Sequence, residues 1–155
     1  MTLHHRLTSP VNRASLDYWT AKCRARWLPG RSDIDPLEMW DFLLNIVLLD
    51  VLTDPLDFRY RLIGGIVRYH LNTNLQGRSM RQISYQAPPS IIFGSCQHVV
   101  ETRDPLSSEI PYVGPHSDYR AAEDLILPLA SDGWMGDMLL VTIDYFVPRE
   151  QPESR

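Results

Sequence analysis

Two stretches decide the fold of this 155-residue chain: Ile46-Val47-Leu48-Leu49-Asp50-Val51-Leu52 and Phe58-Arg59-Tyr60-Arg61-Leu62-Ile63. The first is short, branched and apolar, which suits a buried strand. The second alternates, with Phe58, Tyr60 and Leu62 on one face and Arg59, Arg61 and Ile63 on the other, the period of a strand. Asp54-Pro55-Leu56-Asp57 between them reads as a turn and Gly64-Gly65 as the close, so the pair is expected to be an antiparallel hairpin.

Downstream the period changes. Ile66 to Leu71 suggests one or two helical turns, Asn72 to Gly77 a polar loop, and Arg78 to Tyr85 a second short helix. Pro88-Pro89-Ser90 opens a longer helix with Ile92, Cys96, Val99 and Val100 on one face, stopped at Asp104-Pro105. The last third reads as strands over Ser107–Val113, Tyr119–Ala130 and Trp134–Val147, with Asp132-Gly133 as a tight turn.

Upstream, residues 1–14 read as a flexible tail and residues 15–28 as a helix capped by Ser15. Leu16, Trp19, Cys23 and Trp27 fall on one stripe of that helix. Asp35-Pro36-Leu37-Glu38 is a helix start, with Leu37, Trp40 and Leu44 as its expected buried side. Residues 148–155 read as a second flexible tail. The expectation is one α+β domain over residues 15–147. Its sheet has five antiparallel strands, helices are inserted between strands 2 and 3, and an amphipathic helix leads at the N-terminus.

Composition narrows the function. With 44% hydrophobic and 22% charged residues the chain can fill a core. Its net charge of −4 argues against a nucleic-acid partner, although residues 1–31 alone carry six basic groups against Asp17. Ile46 to Leu49 is stopped by Asp50, so no membrane span is expected. Cys23 and Cys96 form no CxxC pair and read as reduced thiols of a cytoplasmic protein. The five histidines show no paired metal-ligand spacing, and no phosphate loop or GxSxG elbow is present, so neither a metal site nor a catalytic residue is assigned. Cys96 lies on an apolar stripe and reads as core. His70 reads as a helix-end residue, with haem ligation as the alternative.

Several of these segments, taken in order, resemble a family of bacterial single-domain PAS proteins found mostly in alphaproteobacteria. Leu28-Pro29-Gly30-Arg31-Ser32-Asp33-Ile34-Asp35-Pro36 is similar to the family's lead-in, which carries an RSDIDP run. Leu75-Gln76-Gly77-Arg78 resembles its TGR element, and Leu125-Ile126-Leu127-Pro128-Leu129 with Asp132-Gly133 its later hairpin. Gly65 and Asn74 depart from the pattern. The resemblance implies a sensory or regulatory domain, not an enzyme, that acts on a signalling protein partner. It fixes no catalytic residue, and no cofactor is assigned.

Strand alternation and helix stripes then nominate Tyr60, Leu62, Tyr69, His70, Met80, Ile92, Cys96 and Leu127 as lining a small-molecule cavity between helices and sheet. The stripe of Leu16, Trp19, Cys23 and Trp27 has two readings: cover for the outer sheet face, or a homodimer seam. Two alternatives stand beside the ligand sensor. One is a ligand-free dimerisation or adaptor module. The other is a small isomerase or hydratase of cone-like α+β fold using Tyr119, Glu123 and Asp124.

Overall fold

The computed structural model describes residues 2–25 and 27–147. The apolar run becomes β1 (Ile46–Leu52) and the alternating run β2 (Asp57–Ile63), paired antiparallel. After the inserted helices come β3 (Leu106–Pro111), β4 (Ala121–Leu129) and β5 (Met138–Phe146). The strands form one sheet in the order β2-β1-β5-β4-β3, every pair antiparallel. The first hairpin therefore joins the last three strands through β1 against β5, the expected α+β architecture.

Among the described residues, four α-helices surround the sheet: α1 (Leu3–Arg6), α2 (Pro10–Lys22), α3 (Gly65–Tyr69) and α4 (Ile91–Thr102). Both sheet faces are covered. On the outer face Leu16, Trp19, Leu28, Met39 and Phe42 pack on Ile46, Leu48, Leu125, Leu127, Leu129 and Leu140. On the inner face Val67, Met80, Phe93, Cys96 and Val99 pack on Val47, Leu49, Phe58, Tyr60, Ile126, Leu139 and Val141. Burial on both sides explains why the central strands read as continuous apolar runs.

The N-terminal expectation is corrected. Residues 3–14 are structured, and the helix starts at Pro10 and ends at Lys22, instead of spanning 15–28. Ser9 is the cap: its side chain accepts from the Asn12 N–H, with Pro10 in the first helical position, where a missing N–H costs nothing. Ser15 is a buried residue inside the helix. Thr8 and Ser9 are held by Glu123, and Leu7 is buried. Ala25 turns with a positive φ of 57° beyond the helix end, which places Trp27 outside the helix. The C-terminal tail, 148–155, lies outside the described residues.

A second correction concerns residues 36–45. In place of an α-helix there are two separate 3₁₀ turns, Pro36–Glu38 and Leu43–Asn45. Tighter turns with a break between them do not keep α-helical facing. Met39 and Phe42 point into the core, while Leu37, Trp40 and Leu44 are 72%, 76% and 56% exposed. The β4–β5 connection also differs: strand resumes at Met138 and not Trp134, so Asp132-Gly133 sits within a longer loop. Gly133 does adopt a positive φ of 80° there.

Candidate functional site

At one end of the inner face, three segments bring together two histidines and four tyrosines. Gly64 starts α3 by donating its N–H to the Ile46 carbonyl, and the helix ends after one turn with Tyr69 and His70. The β3–β4 connection supplies Tyr112, His116 and Tyr119, and β5 supplies Tyr145. His70 is the hub and is only 6% exposed. Its ring stacks on Tyr145 at 3.8 Å between centroids. Tyr119, Tyr69, Tyr112 and His116 meet it edge-on at 4.5–5.5 Å. Such edge-to-face and offset contacts are the favoured aromatic arrangements.

Hydrogen bonds fix the cluster. His70 Nδ1 lies 2.8 Å from the Tyr112 hydroxyl, which also accepts the His116 N–H at 3.3 Å. His116 Nε2 lies 2.9 Å from the Tyr69 carbonyl, and the His116 ring stacks on Tyr69 at 3.9 Å. Burial, then the neighbouring His116, hold the His70 imidazole below its usual pKa. Burial also drives the Tyr145 hydroxyl upward, with Tyr112 and Asp144 adding to it. Beside the cluster runs an open groove of about 680 Å³ lined by Tyr69, Pro115, His116, Ser117, Asp118, Tyr119, Arg120 and Val147.

The nominated cavity residues do not converge on one site. Tyr60, Met80 and Cys96 share the inner cluster, with Ile92 packed against it from α4. Tyr60 donates its hydroxyl to Gln86 Oε1 at 2.7 Å, and burial raises its pKa. The Cys96 thiol is pushed up to about 12 by burial and then the Asp124 charge, so it is a packed thiol and no nucleophile at neutral pH. His70 belongs to the aromatic end, and Tyr69 beside it is 58% exposed.

Leu62 and Leu127 are misplaced by the alternation argument. The β1–β2 register slips between Leu48 and Leu49: Leu48 faces Leu62, but Leu49 faces Tyr60, and Arg61 is the extra residue. Such a bulge flips the parity. Ile63 therefore turns inward and Leu62 outward. Leu127 lies on the outer face with α2, and its neighbour Ile126 is the inner residue.

Of the two readings of the N-terminal stripe, cover of the outer sheet face fits Leu16 and Trp19. Leu16 and Trp19 are buried against the outer sheet face, where Trp19 donates its indole N–H to the Pro128 carbonyl at 2.8 Å. Cys23 packs at the margin of that cluster. Trp27, 55% exposed, meets the Trp134 ring edge-on instead.

The isomerase constellation is also dispersed. Glu123 points outward into the α2 start, accepting from Thr8 N and Oγ1, Ser9 N and Asn12 Nδ2 at 2.6–3.1 Å. Burial raises its pKa, but those donors outweigh it and the net shift is downward. Asp124 is held by the Ser108 N–H and hydroxyl on the other side of the strand. Two carboxylates on opposite faces cannot share a substrate.

Tyr112, His116 and Tyr145 were not singled out by sequence reasoning. The run of aromatic and histidine residues between 112 and 119 was the available signal, but nothing local tells that it folds over the end of α3.

No described helix is long and apolar enough to cross a membrane. No group of described His, Cys, Asp or Glu residues could hold a metal ion. The fold is similar to that of a sensory box sensor histidine kinase from Vibrio cholerae, with a TM-score of 0.50 and 12% identity over 68% of this chain and 85% of that one. No curated protein matches the sequence. The PAS domain family matches residues 7–141, nearly the whole described chain, from the buried Leu7 to the middle of β5. The chain belongs to the PAS domain family, whose role is sensory and signalling.

Proposed function

We propose that this PAS domain is a sensory or regulatory module that passes its signal by direct contact with another protein. The observation that carries this reading is the row Leu37, Trp40 and Leu44, more than half exposed at each position although the chain has a well-filled core. Large apolar side chains left in solvent along one short segment, residues 37–44, are the kind that partner proteins cover. Glu38 and Asp41 lie between them in sequence and Asp35 just before, with Glu38 paired to Lys22 at 3.0 Å. Both faces of the sheet are already covered by the chain itself, so a partner would meet the domain outside the sheet, as at residues 37–44.

A photo-cross-linking residue at position 40 is expected to capture one saturable partner in the source cells. That capture is lost in Leu37→Asp/Leu44→Asp and is absent when the cross-linker sits at exposed Glu101 on α4. A pattern indifferent to both changes overturns the reading. A homodimer at the end of α2 would use Trp27 with Trp134 and Met135, not the buried Leu16 and Trp19. Two unpaired cysteines agree with placement in the cytoplasm.

A second reading has its own support. The open groove beside Tyr69, His116 and Tyr119 sets ring faces next to Arg120 and Asp118, groups able to hold a polar ligand. Native mass spectrometry of freshly purified protein tests it: a stoichiometric small molecule, lost in Tyr119→Ala, supports a ligand sensor, and bare protein supports the ligand-free adaptor.

A further inference from the structure

We propose that His70 is a proton-operated latch: gaining a proton at Nδ1, it releases the β3–β4 connection, residues 112–120, from the end of α3. The inference names an input for the sensory role and rests on that role only for its meaning in the cell.

In the latched arrangement proposed, the Tyr112 oxygen accepts the His116 backbone N–H and its own proton is donated to His70 Nδ1, 2.8 Å away. His70 is then neutral, with Nδ1 bare and its proton on Nε2. Adding a proton from solvent to Nδ1 makes both groups donors across the same gap. The Tyr112 hydroxyl must turn its proton elsewhere, while its oxygen would receive two N–H groups. Little room exists for a small adjustment: a Cβ at Gly114 would run into the Tyr112 ring and the His70 carbonyl. The connection sits directly on the atoms that must rearrange.

No counter-ion waits for the new charge. On α3 the charged neighbour is Arg68, bonded to the Ile63 carbonyl. On the connection the titratable groups are Tyr112, His116, Asp118, Tyr119 and Arg120, and on β5 they are Asp144 and Tyr145. Of the two carboxylates, Asp144 accepts the Ser9 hydroxyl. Asp118 lines the groove. No described hydrogen bond or ion pair joins either one to His70. An almost fully buried imidazolium without a partner is costly, so the latched state favours neutral His70.

The sign follows. The latched-state pKa lies below the usual 6.5, so the open state binds more protons, and latching weakens as pH falls below that value. One proton per opening means about a tenfold rise in the opening constant for each pH unit, down to the latched-state pKa.

The test is NMR on the full chain between pH 8 and pH 5, following histidine ring nitrogens and the amide exchange of residues 112–120, corrected for intrinsic rates. Expected results are an Nε2–H tautomer for His70 at pH 8 and an opening constant that climbs as pH falls below 6.5 and levels off once His70 is protonated in the latched state. His70→Gln abolishes that climb, and His116→Gln keeps it. Should His70→Gln not fold, Tyr112→Phe serves: protection over 112–120 is already low at pH 8 and no longer follows His70. Opening that is flat with pH in the wild type overturns the latch. So does a climb that survives His70→Gln or Tyr112→Phe, or one that disappears only in His116→Gln. None of these readings involves a partner, so failure of the latch is separable from failure of the contact function.

Discussion

Glu123 shows how one side chain settles the start of the molecule. It is a buried carboxylate on β4 whose oxygens collect donors from Thr8, Ser9 and Asn12, all at the beginning of α2. Carboxylates suit that end of a helix because its first N–H groups lack partners and the dipole is positive there. Hydrogen bonds to a buried charge contribute about 1.5–3 kcal/mol each before non-additivity. Glu123→Gln is expected to cost about 2–3 kcal/mol in chemical denaturation, since an amide keeps the shape but loses charge and places an N–H before donors. The folded pKa lies below the ordinary carboxylate value of 4.5. This stabilisation is therefore complete above that value and is lost as pH falls through the lower folded pKa. The wild type should show that acid-side loss of stability, and the variant should show less of it.

Among the elements, the strands were the most legible. Branched apolar runs with period-two alternation reveal β1, β2 and β4, because local geometry and burial ask for the same residues. Helix α4 was readable from Ser90, whose side chain accepts the Phe93 N–H. Three features were not. Ser9-Pro10 is a sound start signal, but its strength comes from Glu123, 114 residues later in sequence. The row Leu37, Trp40 and Leu44 matches a helical period that the two 3₁₀ turns do not honour. The bulge at Arg61 belongs to the pairing of two strands and has no signature in either one. The aromatic site was illegible for a related reason: three segments distant in sequence contribute to it. The bulge makes a paired prediction. Leu62→Thr is expected to change stability by less than about 0.5 kcal/mol, as surface changes usually do. Ile63→Thr should cost about 2 kcal/mol or more through lost burial and a buried hydroxyl. Equal effects in thermal melts would refute the assigned register.

At the scale of the whole molecule, the sheet is a partition between two apolar layers, each closed by a different part of the chain. Residues 3–43 close the outer layer and residues 65–100 the inner. Removing residues 2–9, which the tail reading would permit, is therefore expected to destabilise the domain, because it uncaps α2, exposes Leu7's site and leaves Glu123 buried without Thr8 and Ser9. The measurement is the denaturant midpoint of the truncated chain, expected to fall by several kcal/mol of equivalent stability, about that of breaking a buried charge site. A midpoint equal to that of the full chain would mean that the N-terminal segment is dispensable after all.

The distribution of indole rings has a practical outcome. Of the chain's four tryptophans, Trp27, Trp40 and Trp134 face solvent and Trp19 alone is enclosed, at the joint between α2 and the sheet. Replacing the outer three with phenylalanine leaves a single indole, excited selectively at long wavelength, that reports on whether that joint is shut. Its emission should lie to the blue in the native state and move to longer wavelength when α2 lifts away, even while the strands remain paired.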